Sequence, residues 1–160
     1  APDPALTGAT TLRNAVLDGV LDPTRTVQIG IRGSAEYLWE FSFESGMTVI
    51  HAEEINGLGI AAIIEKAKAV IGDGPTYLSF DIDSLDPSVA PGTGTPEVGG
   101  LTSREALELI RGFKGINLIG GDVVEVAPQY DANHNTAHVG AQILFEILSL
   151  MVYSPAIKPR

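Results

Sequence analysis

The sequence has no cysteine among its 160 residues. That excludes a disulfide framework and thiol chemistry, and it fits a reducing compartment. Basic residues are scarce, with 10 Lys and Arg against 20 Asp and Glu and a formal net charge of −10. A surface of that sign repels phosphate backbones and anionic headgroups, which disfavours nucleic acid or a membrane surface as partner. No run reaches the ~18 uninterrupted apolar residues that a transmembrane helix requires. The most apolar stretch, residues 139–153, is interrupted by Glu146. Histidine occurs only as His51, His134 and His138. No signal peptide, repeat, low-complexity tract or interdomain linker is visible.

What the chain does have is an alternation of short β-branched runs and longer helical patterns. A hydrophobic content of 44% suffices for one sizeable core. Leu12-Arg13-Asn14-Ala15-Val16-Leu17 reads as a helix stopped near Gly19, and Arg25-Thr26-Val27-Gln28-Ile29-Gly30-Ile31 as a buried strand. A polar-aromatic helix or loop over residues 35–45 precedes a short strand, Met47-Thr48-Val49-Ile50. Residues 60–70 form an amphipathic helix closed by Gly72-Asp73-Gly74. Thr102-Ser103-Arg104-Glu105 has capping-box spacing and opens a helix running to Phe113, followed by a strand over residues 116–119 and a long apolar helix over 136–151. Strands and helices in this order predict right-handed βαβ crossovers. The expected fold is α/β, a parallel sheet flanked by helices on both faces in three α/β/α layers.

The stretch richest in chemistry is Thr76-Tyr77-Leu78-Ser79-Phe80-Asp81-Ile82-Asp83-Ser84-Leu85-Asp86-Pro87, continuing through Ala90-Pro91-Gly92-Thr93-Gly94-Thr95-Pro96-Glu97 to Gly99-Gly100. A β-prone run ends in two carboxylates spaced i, i+2, which on an extended strand face the same way. Like charges held that close repel unless a cation or proton lies between them, and hard oxygen donors suit Mg, Mn or Ca ions. A pair of loop-capping aspartates is the plainer alternative. In open parallel sheets ligands sit beyond the carboxyl ends of the strands, and Asp81, Asp83, Asp122 and Glu125 are all expected at or just past such ends.

These residues resemble the ureohydrolases, the family of arginases, agmatinases and guanidino-acid amidinohydrolases. The resemblance rests on Ser79-Phe80-Asp81-Ile82-Asp83, on Pro87, Pro91-Gly92 and Gly100, and on Gly120-Gly121-Asp122-Val123-Val124-Glu125-Val126-Ala127-Pro128. It extends from about Thr26 to about Val152, and the wording of residues 92–100 is closest to the agmatinase-like members. It implies an arginase-like fold and a metal-dependent hydrolase of linear C–N bonds that releases urea and an amine. It further implies two Mn ions with Asp81 and Asp83 among their ligands, a guanidinium held by Glu125, and Thr95 beside it. The implied substrate is a small guanidino compound: arginine, agmatine, guanidinobutyrate, guanidinopropionate or guanidine. A cytoplasmic homo-oligomer, trimer or hexamer, is implied as well.

Two family motifs that carry the remaining metal ligands, Gly-Gly-Asp-His and Asp-Ala-His-x-Asp, do not occur. Two aspartates cannot by themselves hold two ions in a defined geometry. The opening Ala1-Pro2-Asp3-Pro4 has no initiator Met and leads straight into a helix-like segment. The expectation is therefore that residues 1–160 are the C-terminal part of a single ureohydrolase domain, incomplete at the N-terminus and inactive alone. The catalytic proton donor has no candidate in this stretch.

Other features carry plainer readings. His134 and His138 are spaced i, i+4 but lack a third ligand or an H-E-x-x-H glutamate. His51 reads as a hydrogen-bonded strand-end histidine, and Tyr37, Trp39 and Phe41 as packing. Asp86 and Asp122 read as loop-fixing acids. Two alternatives to a ureohydrolase remain at this point. One is a non-catalytic, partner-binding domain. The other is a Mg-dependent phosphohydrolase of the haloacid dehalogenase type, against which stand Ser84 after the second aspartate and Val126 four residues after Asp122.

Overall fold

β-branched and aromatic residues at Thr76, Tyr77 and Phe80 make the central strand, and the helices around it follow from apolar residues at helical spacing. The computed structural model describes residues 11–33 and 39–157. In chain order the elements are α1 (Thr11–Leu17), β1 (Val27–Ile31), α2 (Glu40–Ser45), β2 (Thr48–His51), α3 (Ala52–Leu58) and α4 (Ile60–Ile71). They continue with β3 (Thr76–Asp81), α5 (Ser103–Gly112), β4 (Leu118–Val124) and α6 (Asn135–Met151). Tyr37 and the start of the segment expected over 35–45 lie outside the described residues.

The strands pair in parallel, as expected, but as two pairs: β1 with β2 and β3 with β4. Each pair is joined through helices, α2 within the first and α5 within the second, so the α/β crossover logic holds. α6 presents Gly140, Ile143, Ile147 and Leu150 in one buried stripe of alternating four- and three-residue steps and packs on β4. Its close approach depends on Gly121, where an added Cβ would stand 2.7 Å from the Leu78 carbonyl oxygen and 2.8 Å from a methyl of Ile147. The opposite face of β3 is uncovered among the described residues: Tyr77 and Ser79 are exposed, as is Ile119 of β4. Parallel strands ordinarily bury both faces, so the second layer over this pair is not supplied by the chain's own described helices.

Two local expectations shift, the length of β4 and the presence of α3. β4 extends to Val124, so Asp122 lies inside the strand and not beyond it. His51 is the last residue of β2 and caps α3, a helix without a clear apolar period in the sequence. That helix is started by Glu54, whose carboxylate accepts the His51 amide at 2.8 Å. The capping box of α5 forms as expected, with the Thr102 hydroxyl accepting the Glu105 amide at 3.2 Å and the Glu105 carboxylate accepting the Thr102 amide at 2.8 Å. Among the described residues no helix is long and apolar enough to cross a membrane.

Glu146, the acid that interrupts the most apolar segment, is buried on α6 and clasped from α5. Arg111 donates from Nε to Oε2 at 2.9 Å and from Nη2 to Oε1 at 2.6 Å, and Gln142 donates to Oε1 at 3.0 Å. These bonds, Arg111's first, hold the Glu146 carboxyl below its ordinary 4.5 despite burial. A depressed carboxylate stabilises the fold above its unfolded pKa and loses that contribution as pH falls through the folded value. Arg111→Met is therefore expected to lower the melting temperature at neutral pH, by an amount that shrinks as pH drops below about 4. Calorimetry across that range checks it, and a pH-independent difference would leave the pair with a packing role only.

Candidate metal and substrate site

The site is assembled by register. β3 and β4 align Tyr77 with Gly120, Ser79 with Asp122 and Asp81 with Val124. The end of β3 therefore meets the end of β4, and Glu125, the next residue, comes to the same rim as Asp81 although 44 positions separate them in sequence.

Asp81 and Asp83 converge, but not through the strand pleat. β3 stops at Asp81, and residues Ile82–Ser84 form a 3-10 turn in which the Asp83 amide donates to Asp81 Oδ1 at 3.1 Å. The turn, rather than extended alternation, swings the second carboxylate back beside the first. Asp83 is braced in turn by Thr95, whose hydroxyl donates to its Oδ2 at 2.8 Å. Glu125 stands over the same loop, since a Cβ added at Gly94 would lie 4.0 Å from its Oε2. The four residues singled out from the sequence, Asp81, Asp83, Thr95 and Glu125, are thus brought together.

The electrostatics are those of a site short of positive charge. Burial pushes the Asp81 carboxyl up, and the neighbouring Asp83 and Glu125 charges push it further, from the ordinary 3.8 to about 7. Glu125 sits at φ 63°, in the left-handed region that a non-glycine residue occupies at a cost on the order of 1 kcal/mol. It is exposed, so its carboxylate is available to a ligand. Two hard carboxylates forced together match the donor chemistry of a divalent oxygen-loving cation. Among the described residues no group of three or more His, Cys, Asp or Glu side chains could hold a metal ion, so Asp81 and Asp83 fit as part of a coordination shell.

The remaining candidates fall outside this rim. Asp86 is a loop brace, as expected: its carboxylate accepts the Ser88 hydroxyl, the Ser88 amide at 2.9 Å and the Gly99 amide at 2.9 Å, bonds that pull it down to about 2. Asp122 does not fix a loop; it accepts the Tyr77 hydroxyl at 3.0 Å across the strand pair, and its other oxygen is buried without a partner. His134 is an exposed left-handed residue preceding α6, and His51 packs edge-on against Trp39 at 4.9 Å. A cavity of about 540 Å3 lies between the segments that precede β3 and β4, lined by Lys68, Asp73, Lys114 and Asn117, at the amino ends of the strands and away from the carboxylates.

Sequence reasoning missed Arg32 and Asp131. Arg32 follows β1 and reaches the loop after Asp83, donating from Nη2 to the Asp83 carbonyl at 2.7 Å and to that of Glu97 at 2.6 Å. Its signal was a lone cation between Gly30 and Gly33 at a strand end in an acidic chain. Asp131 is buried and accepts the Thr136 amide at 3.2 Å and the Ala137 amide at 2.9 Å, so it starts α6 in place of His134. Thr136 passes the restraint on by accepting the Gly92 amide at 2.8 Å, which ties the helix to the site loop.

Known proteins are similar to this chain in sequence and in fold. The family model of the arginase family matches residues 3–149. Guanidinopropionase from Pseudomonas aeruginosa is 52% identical over 156 residues, which cover 96% of this chain and 49% of that protein. A mitochondrial agmatinase from Gallus gallus is 49% identical over 151 residues, covering 93% of this chain and 44% of the relative. The crystal structure of a hypothetical agmatinase from Burkholderia thailandensis superposes with a TM-score of 0.80 at 44% identity, over 89% of this chain and 43% of the other. The chain thus spans about half the length of the relatives it matches.

The crowding of Asp81 has a measurable consequence in metal-free protein. Its folded pKa stands above the unfolded value, so the folded state keeps a proton that the unfolded state has released, and stability falls as pH rises from about 4 to about 7. Asp83→Asn removes one repelling charge. The Asp81 carboxyl should then titrate closer to 3.8, and the loss of stability with pH should shrink. Carbon-detected NMR of the Asp81 carboxyl reads this directly, and an unchanged midpoint would mean that Asp83 does not act on it.

Proposed function

Because the chain belongs to the arginase family, we propose that it carries half of the active site of a ureohydrolase, an enzyme that hydrolyses a guanidino compound to urea and an amine. The observation that carries the reading is the convergence of Asp81, Asp83 and Glu125 at the carboxyl ends of β3 and β4, with Asp81 pushed up to about 7 by burial and by its neighbours. Membership of the family also removes the haloacid dehalogenase alternative.

Residues 1–160 are read as the C-terminal part of a single domain. The rest of that domain would complete the metal shell and cover the exposed Tyr77 and Ser79 face of β3. Asp81 and Asp83 would hold two divalent manganese ions together with donors from outside this chain. When bound, such a pair supplies activated water for attack on a C–N carbon. Thr95 keeps Asp83 aimed by its 2.8 Å hydrogen bond, and this restraint is a stronger role for it than direct contact with substrate. Glu125 receives the guanidinium, because a planar donor fork pairs with a carboxylate through two parallel charge-assisted bonds. Its left-handed backbone turns the side chain toward the Gly94-Thr95 loop, beside the metal-binding aspartates and not among them.

The substrate is a small molecule of the guanidino class, agmatine or a guanidino acid. The relatives' names divide between guanidinopropionase, whose substrate tail is acidic, and agmatinase, whose substrate tail is basic. The charge at the far end of the substrate would be read partly by loops outside this chain. A homo-oligomer, trimer or hexamer, is the assembly that the family resemblance supports.

The full-length protein, loaded with Mn, is expected to release urea from at least one of arginine, agmatine, guanidinobutyrate, guanidinopropionate and guanidine. A colorimetric urea assay over that panel decides it, and no urea from any of the five would sink the reaction assignment. Asp83→Ala should lower metal content as well as turnover, measured by elemental analysis, since losing one anionic ligand weakens the shell. Glu125→Gln keeps the shape and removes the charge, so kcat/KM should fall on the order of 10- to 100-fold with metal content intact. Equal loss of metal in both variants would contradict the division of roles. The 160-residue chain alone should retain little metal and show no hydrolysis.

A further inference from the structure

The guanidinium of Arg32 lies behind the loop that carries the site. Arg32 stands one residue past β1, yet its Nε and Nη2 donors go to places 51 to 65 positions away in sequence. Nη2 reaches the carbonyl oxygens of Glu97 at 2.6 Å, Asp83 at 2.7 Å and Leu85 at 3.2 Å. Nε adds a second bond to the Glu97 carbonyl at 3.2 Å, and Nη1 reaches the Gly30 carbonyl at 3.4 Å. Every acceptor is main chain, and among the described residues Arg32 enters no ion pair.

A cation whose donors end on carbonyls fastens backbone, and the planar fork of arginine can fasten several points that a lysine ammonium cannot span. The packing is built to admit it. A Cβ at Gly100 would stand 2.8 Å from Nη2 and 2.5 Å from the Asp86 amide, so only glycine leaves the space. The other braces of the loop hold different points: Leu101 donates to the Ser84 carbonyl at 2.9 Å, Asp86 donates to that of Leu101 at 2.9 Å, and the Asp86 carboxylate holds Ser88 and Gly99. None of them bonds Asp83 or Glu97 as Arg32 does.

Resting on the reading that Asp83 holds a divalent cation, we propose that Arg32 is a positioning residue for that site. By pinning the carbonyls of Asp83 and Glu97 to the carboxyl end of β1, it sets both sides of the Asp83–Thr95 hydrogen bond. Fixing the Asp83 carbonyl fixes the backbone from which its carboxylate projects. Fixing Glu97 closes the Gly94-Thr95-Pro96 turn from which the Thr95 hydroxyl reaches Oδ2. Its donors end on main-chain carbonyls and not on carboxylate oxygens, which leaves those oxygens for a metal. Removing such a support acts on affinity through the ligand it orients.

The test uses Arg32→Met and Arg32→Lys. In the metal-free full-length protein, amide hydrogen exchange at Asp86, Gly99 and Leu101 should quicken about tenfold or more in Arg32→Met, while the amides of Ile143 and Ile147 in α6 keep their wild-type rates. In the full-length protein, Mn affinity followed by the electron paramagnetic resonance of free Mn should weaken by about 10- to 100-fold in Arg32→Met. Arg32→Lys should fall between the variant and the wild type. Exchange that quickens equally in the loop and in α6, or Mn affinity equal to wild type in both variants, would overturn the proposal. A wild-type protein that binds no Mn would sink the metal assignment of Asp83. Unchanged loop exchange in Arg32→Met would sink the role of Arg32, so the two failures are told apart.

Discussion

The parallel register of β3 and β4 is the constraint on which the rest of the site depends. Asp81 opposite Val124 makes Glu125 the next residue beyond the pair, and only this alignment sets a third carboxylate beside Asp81 and Asp83. A slip of one residue would carry Asp81 and its neighbours to the other face. The register is enforced from one side by α6. Ile147 presses onto Gly121, and the stripe of Gly140, Ile143 and Leu150 continues the contact along the helix. Packing far from any chemistry therefore determines which charges meet.

Having brought like charges together, the fold must hold them there. It does so with neutral and cationic partners that leave carboxylate oxygens free: the Asp83 amide to Asp81, the Thr95 hydroxyl to Asp83, and Arg32 to the main chain beneath both. Burial and the residual repulsion push the Asp81 carboxyl up to about 7, and Glu125 beside it sits in a left-handed backbone. Strain and charge crowding of this kind concentrate at binding sites because the surrounding structure over-determines them. Asp86, drawn down to about 2 by Ser88 and Gly99, shows the opposite case, a satisfied acid whose work is to shape a loop. Two aspartates five positions apart, Asp81 and Asp86, are thus told apart by their surroundings.

Much was legible in the chain itself. The helices over 60–71 and 103–112 follow from apolar period and, for the second, from the Thr102 and Glu105 capping pair. The importance of Asp81, Asp83, Thr95 and Glu125 was legible from a string of acids, prolines and glycines that resembles one enzyme family. Less legible were α3, whose Glu53, Glu54 and Asn56 give no apolar stripe, and the length of β4, expected over 116–119 and continuing through Gly120 and Gly121 to Val124. Both glycines turn out to serve close packing within the strand, since a Cβ at Gly120 would meet the Tyr77 ring at 3.0 Å.

The sequence by itself determined the element types, the absence of thiol chemistry, the acidic character and the identity of the residues that carry charge to the strand ends. It did so because periodicity, turn residues and side-chain chemistry are local properties. Tertiary structure alone decided that Asp83 faces Asp81 through a turn, that Glu125 arrives beside them, and that Arg32 supports a loop from a strand about fifty residues away in the chain. Those outcomes depend on strand register and on hydrogen bonds between residues distant in sequence, and no local pattern encodes either.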